Sequence, residues 1–117
     1  MMKLRLGMSP ISWTNDDLPQ LGGETSLETC LVETRQAGFT GTETGGKFPK
    51  DAAALSAVLG DHDLALVSGW YSGTLIHNSL EAELDQIAAQ LELFKQCGAA
   101  VIVYGETYET VQNRQER

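Results

Sequence analysis

The sequence predicts an α/β fold built on parallel strands, and three observations carry that expectation. Short apolar runs rich in β-formers alternate with longer amphipathic stretches, in the order β, α, β, α, β, α, β. Turn residues, most often glycine, mark each passage from one element to the next. Single helices separate successive strands, and a parallel neighbour is reached only through such a crossover, right-handed in nearly every case.

The stretch LRLGMSPISWTNDD opens the first unit. Leu4, Leu6 and Met8 alternate with Arg5 and Gly7, which predicts a strand over Lys3–Ser9 that gives way to Pro10, Trp13, Asn15 and two aspartates. A helix is expected from about Thr25, where TSLE offers a capping box with Glu28 and Leu27, Cys30, Leu31 and Thr34 share a face; Gly38 stops it. The second strand is Gly41–Thr44, and the second helix, capped by Asp51, carries Leu55, Val58 and Leu59 before Gly60 ends it. Leu64–Ser68 is the third strand. The third helix starts at Asn78 or Ser79, with Glu81 nearby, and repeats Leu80, Leu84, Ile87, Leu91 and Phe94 at steps of three and four until Gly98. Acidic and amide residues fill its other face. The last strand is Ala100–Tyr104, and the polar tail ETYETVQNRQER reads as loop or frayed end.

Composition narrows the function. With 117 residues and 42% hydrophobic content, the chain is long enough for one domain with a core, yet short for the larger α/β architectures. A net charge of -8 and the lack of any Lys/Arg cluster argue against a nucleic-acid partner. Cys30 and Cys97 lie far apart, outside any CxxC or Cys/His grouping, so they read as reduced, packed thiols rather than a disulfide or zinc site. The first residues form no apolar leader and there is no run of 18 apolar residues, so the expectation is a cytoplasmic protein without a membrane partner.

In parallel β/α folds the loops leaving the C-terminal strand ends build the site. After the first strand come Ser12, Trp13, Thr14 and Asn15; after the second, Glu43 and TGGKFP with Lys47; after the third, SGWYSG with Trp70 and Tyr71; after the fourth, Tyr104, Gly105, Glu106 and Thr107. This grouping suits a hydroxyl-rich ligand, aromatic rings packing on C–H surfaces while carboxylates and an ammonium take the hydroxyls. Plainer readings stand beside it. Trp13 and Trp70 are equally explained as plugs of the sheet top. GGKFP lacks the GxxxxGK[ST] spacing of a phosphate loop, and Lys47 reads as well as a solvated surface charge. Glu43 and Glu106 suit acid/base work or hydroxyl binding, or an ion pair with Lys47. His62, in a turn at the other end of the sheet, is expected in solvent, and His77 is a weak candidate.

Four blocks, SPISWTNDDLPQLGG, LETCLVETRQAGFTGTETGGKFP, LVSGWYSG and VYGET, resemble the N-terminal part of the myo-inosose-2 dehydratase family in order and spacing. Thr44 stands where an aliphatic residue is expected, and the tail after Thr107 departs from the pattern. The family resembles the sugar-phosphate isomerase/epimerase-like barrels, with eight β/α units in about 250 residues. The resemblance therefore implies the N-terminal half, about four units, of a TIM (β/α)8 barrel, formed as a single partial domain over residues 1–117.

The same resemblance implies a lyase that removes water from 2-keto-myo-inositol, a polyhydroxylated cyclic ketone, in inositol catabolism, with an enolate held by divalent manganese or cobalt. The metal ligands are expected on later strands, so none is assigned here. Glu43 and Glu106 are assigned as catalytic groups, and Trp13, Lys47, Trp70, Tyr71 and Tyr104 as the substrate-binding wall. The chain alone is expected to be inactive, with self-association through exposed sheet edges. Two alternatives stay open: a polyol-binding module without catalysis, and a fragment of a related ketose epimerase or isomerase.

Overall fold

The structure, a computed structural model, describes residues 3–110. Its elements are β1 (Gly7–Met8), a 3-10 turn (Pro10–Ser12), α1 (Leu27–Gln36), β2 (Gly41–Thr44), α2 (Ala52–Asp61), β3 (Ala65–Gly73), α3 (Leu80–Gln96) and β4 (Val103–Glu106). The four strands form one sheet in the order β1-β2-β3-β4, and every pairing is parallel. This is the arrangement of half a (β/α)8 barrel, as expected. Of the expected tail, residues 111–117 lie outside the described residues.

Local chemistry sets the helix boundaries. Ser26, Asp51 and Ser79 each accept a hydrogen bond on the side chain from the backbone N–H three residues on, which satisfies a donor the first helical turn leaves open. The first cap is therefore Ser26 rather than Thr25. Gly38 and Gly98 take positive φ values of 91° and 79° just past α1 and α3, where a left-handed residue ends a helix. Gly60 does not end α2. The helix continues to Asp61, and the left-handed position falls on Asp63 (φ 53°).

The helices cover one face of the sheet. Leu31, Phe48, Leu55, Leu59, Leu64, Leu66 and Phe94 form the buried cluster there, flanked by Leu27, Val58, Leu93 and Ile102. The other face carries exposed apolar side chains, among them Val67, Trp70 and Val103. No described helix is long and apolar enough to cross a membrane.

Several element boundaries differ from the sequence reading, for identifiable reasons. β1 contains two paired residues instead of the whole of Lys3–Ser9, because an edge strand pairs only where its single neighbour is in register. β3 runs on through SGWYSG, and β4 starts three residues later than expected because its partner residues begin at Trp70. In α3 the buried face is Glu83, Ile87 and Phe94, whereas Leu80, Leu84 and Leu91 are exposed. The apolar period is correct there, but the stripe is wider than the face the sheet covers. His62 is also not in solvent. Its side chain is 13% exposed, with Nε2 3.1 Å from Glu28 and Nδ1 2.8 Å from the Val58 carbonyl. That carbonyl and then the Glu28 carboxylate raise its pKa against the effect of burial.

Leu55, fully buried, and Leu84, 55% exposed, give a direct test of this layering. Leu55→Ala should cost about 2–5 kcal/mol through lost burial and a residual cavity, whereas Leu84→Ala in the isolated chain should stay within about 0.5 kcal/mol. Urea unfolding followed by circular dichroism measures both.

Candidate functional site

A break in the β2–β3 ladder builds the site. Thr42 pairs with Leu66, but the next residue, Glu43, pairs with Ser68, so β3 carries one extra residue at that point. Side chains alternate across a strand, and an extra residue inverts the alternation beyond it. Leu66 joins the helix-side core, while a Cβ at Gly41 would strike Val67 on the open face. Beyond the break the parity is reversed. A Cβ at Gly69 would meet Phe94 of α3, and Trp70 and Ser72 turn to the open face beside Glu43.

There they line a cavity of about 310 Å³ with Ser9, Asn15, Asp16, Asp17 and Thr107. Glu43 is half-buried, and Ser68 Oγ donates to its Oε1 at 2.6 Å, which fixes the carboxylate direction. Trp70 is 53% exposed, and its Nε1 donates to Ser72 Oγ at 2.9 Å. Gly105, opposite on β4, makes room for that ring: a Cβ there would lie 2.1 Å from Cη2. Asp16 accepts from the Gly46 N–H at 2.8 Å, tying the loop after β1 to the loop after β2. The cavity thus combines one flat apolar wall with carboxylates and hydroxyls, a lining suited to a ring that carries hydroxyl groups.

The other expected site residues are placed elsewhere. Trp13 donates from Nε1 to Glu33 Oε2, against α1. Lys47 Nζ donates to the carbonyls of Gly22, Gly23 and Thr25, so its ammonium fastens two loops together and is not simply solvated. Tyr71, next to Trp70 in a strand, points to the opposite face, where it stacks on Tyr104 at 5.8 Å between centroids and lines a second space of about 400 Å³ with Phe48, Leu93 and Phe94. Glu106 accepts from the backbone N–H groups of Ile76 and Tyr108 at 3.1 and 2.9 Å. His77 stacks on Tyr108. Asp16, Asp17 and Ser72 were not singled out from the sequence. For Ser72 a signal did exist, since it follows Trp70 by two residues in a strand and so shares its face.

A buried acid anchors the rim. Glu83, 4% exposed, accepts from the Thr74 N–H at 2.9 Å, Thr74 Oγ1 at 3.2 Å, Asn78 Nδ2 at 3.0 Å and Tyr104 Oη at 2.9 Å. These donors, the Thr74 N–H foremost, lower its pKa against desolvation. Burial, and then Glu83 itself, raises the pKa of Tyr104. Desolvation raises that of Tyr71. Glu83 therefore joins α3, the loop after β3 and β4 at the point where the strands open toward the cavity.

Among the described residues, no three His, Cys, Asp or Glu side chains are grouped to hold a metal ion. The divalent metal implied by the resemblance thus has no ligand set within them.

The Glu83 cluster gives stability a defined pH dependence. A carboxylate held below its ordinary value contributes stability that is complete above that value and is lost as pH falls through the folded value. Wild-type stability should therefore decline on acidification below the ordinary value of 4.5, and Glu83→Gln should flatten the decline in that window. Urea titrations at stepped pH read the difference.

No family model matches the chain. It is 48% identical over 107 residues to the rhizopine catabolism protein MocC of Rhizobium meliloti, covering 92% of this chain and 33% of that protein. It is 39% identical over 114 residues to the inosose dehydratase of Geobacillus thermodenitrificans, covering 97% of this chain and 38% of the relative. Against the inosose dehydratase of Bacillus thuringiensis the identity is 37% over 109 residues, with coverages of 93% and 37%. The chain is thus similar over more than nine tenths of its length to proteins of which it spans little more than a third.

Proposed function

We propose that this chain forms the substrate-facing part of a hydro-lyase that dehydrates 2-keto-myo-inositol in cytoplasmic inositol catabolism. The similarity to inosose dehydratases over nearly the whole chain carries the reading. The cavity supports it, because its lining matches a cyclic polyol ketone.

The residues divide the work. The Trp70 face packs on the axial C–H surface of the ring, held flat by its bond to Ser72 and by Gly105 beneath it. Glu43, oriented by Ser68, accepts a ring hydroxyl or takes the proton lost beside the ketone. Asp16, Asp17 and Asn15 at the rim accept and donate to the remaining hydroxyls. Glu106 acts indirectly, holding the loop after β3 through the Ile76 N–H, and Lys47 holds the loop after β1. Dehydration also needs stabilisation of the enolate, which a divalent manganese or cobalt ion would supply. The described residues group no ligand set for such an ion, so the part proposed for them is to bind and orient the ketone.

Intrinsic fluorescence tests this reading. In a Trp13→Phe variant, Trp70 is the sole tryptophan. Adding 2-keto-myo-inositol should shift its emission with a Kd in the range of about 1 mM, and Glu43→Gln should weaken binding about tenfold. An unchanged spectrum at saturating ketone would overturn the proposal.

A further inference from the structure

A second concavity lies on the helix side of the same strand ends. Strand alternation sends Tyr71 away from Trp70, so the space of about 400 Å³ that Tyr71 lines opens between α3 and the loop after β2. Its floor is apolar. Phe48 and Phe94 are buried there, Leu93 packs beside them, and the Tyr71 ring is held by its stacking on Tyr104. The rim is polar, and its groups are chiefly donors. Lys50 Nζ makes no ion pair and Tyr71 Oη no hydrogen bond among the described residues. Gln86 Oε1 accepts from Asn78 Nδ2 at 3.1 Å, which leaves the Gln86 Nε2 donors over, while Gln90 Nε2 is already committed to the Trp70 carbonyl at 3.0 Å. Desolvation raises the Tyr71 pKa, so its phenol stays protonated and able to donate. Asp16, the one acidic residue on this lining, is engaged by the Gly46 N–H.

We propose that this second space binds a small aromatic carboxylate, its ring on Phe48, Phe94 and Leu93 and its carboxylate toward Lys50, Tyr71 Oη and Gln86 Nε2. An aromatic ring fits the floor because Phe48, Phe94 and Tyr71 supply faces and edges for offset packing. An anion fits the rim because its uncommitted groups are an ammonium, a phenol and an amide N–H pair, and donors of that kind bind a carboxylate more strongly than a neutral acceptor. The volume lies at the lower end of ligand pockets, which suits one ring with a short substituent. A ring covered in hydroxyls matches this floor poorly, so the two spaces take different ligands. The inference stands on these side chains and is independent of what the first cavity binds.

Fluorine NMR of 4-fluorobenzoate titrated with the 117-residue chain tests it. Saturable line broadening with a Kd of about 1 mM is the expected result. Lys50→Gln should weaken binding about tenfold and Tyr71→Phe, which removes only the hydroxyl, about threefold. Ala89→Phe, on the exposed side of α3 at the cavity wall, should fill the space and abolish binding. If that variant melts early, the Lys50 and Tyr71 variants decide. Three outcomes overturn the proposal: no saturable broadening at about ten times that concentration, 4-fluorobenzylamine binding as tightly as 4-fluorobenzoate, or binding indifferent to Lys50→Gln and Tyr71→Phe. Displacement of the probe by 2-keto-myo-inositol would also overturn it, since the two would then share one site. Ketone binding itself is read from Trp70 emission, so either reading can fail alone.

Discussion

The β2–β3 ladder is the constraint on which the rest of the structure depends. These are the two inner strands of the sheet, and the single residue by which β3 outruns β2 decides what each end of the sheet can do. Before the break, Leu66 joins the helix-side core. After it, side chains of the same parity emerge on the open face as Ser68, Trp70 and Ser72. A regular strand would drive either Trp70 into the helix layer or Leu66 into solvent. One inserted residue thus lets a continuous segment serve a core at its start and a cavity at its end.

The rim is held by polar groups that fasten loops to the sheet and to α3. Glu83 gathers the Thr74 N–H, Asn78 and Tyr104, while Glu106 takes the Ile76 N–H from the other side. The loop leaving β3 therefore runs between two carboxylates, one on α3 and one on β4. Lys47 does the corresponding work for the loop after β1, donating to the carbonyls of Gly22, Gly23 and Thr25. Charged residues at strand ends carry no label in the sequence that says whether they fasten loops, and their partners in the fold show which of them do. Glu43, oriented by a single side chain, differs in that respect from Glu83 and Glu106.

How much the sequence reveals follows the range of the interactions involved. Helix caps are local, so Asp51 and Gly38 were legible, and the error at the first cap is one residue, Thr25 for Ser26. Strand order was legible because single-helix crossovers leave few alternatives. Facing was not. SGWYSG reads as a glycine-rich loop, and only pairing with β4 makes it strand, which sends Trp70 and Tyr71 to opposite faces. Glu83 was hidden for a similar reason. In the helical pattern it sits among acidic neighbours as part of a solvated face, and only the tertiary approach of Thr74 and Tyr104 makes it a buried hub. Residue types at strand exits pointed to Glu43 and Trp70, which line the cavity, but the loop contacts that engage Trp13 and Lys47 join residues some 20 positions apart in sequence.

One face of the sheet is covered by helices and the other is not, and this asymmetry divides the sheet's contribution to stability. Parallel sheets are ordinarily covered on both faces, because each strand buries side chains in both directions. Here the helix layer supplies the closed core from Leu31 to Phe94, while Val67, Trp70 and Val103 face outward beneath the cavity. Those open-face side chains are smaller in number and more mixed in polarity than the core, with Ser68, Ser72 and Glu43 interleaved among them. A surface of that composition neither collapses on itself nor repels an apolar ring. It tolerates water when bare, so the face that adds least to the stability of the isolated chain is also the one where the proposed binding would take place.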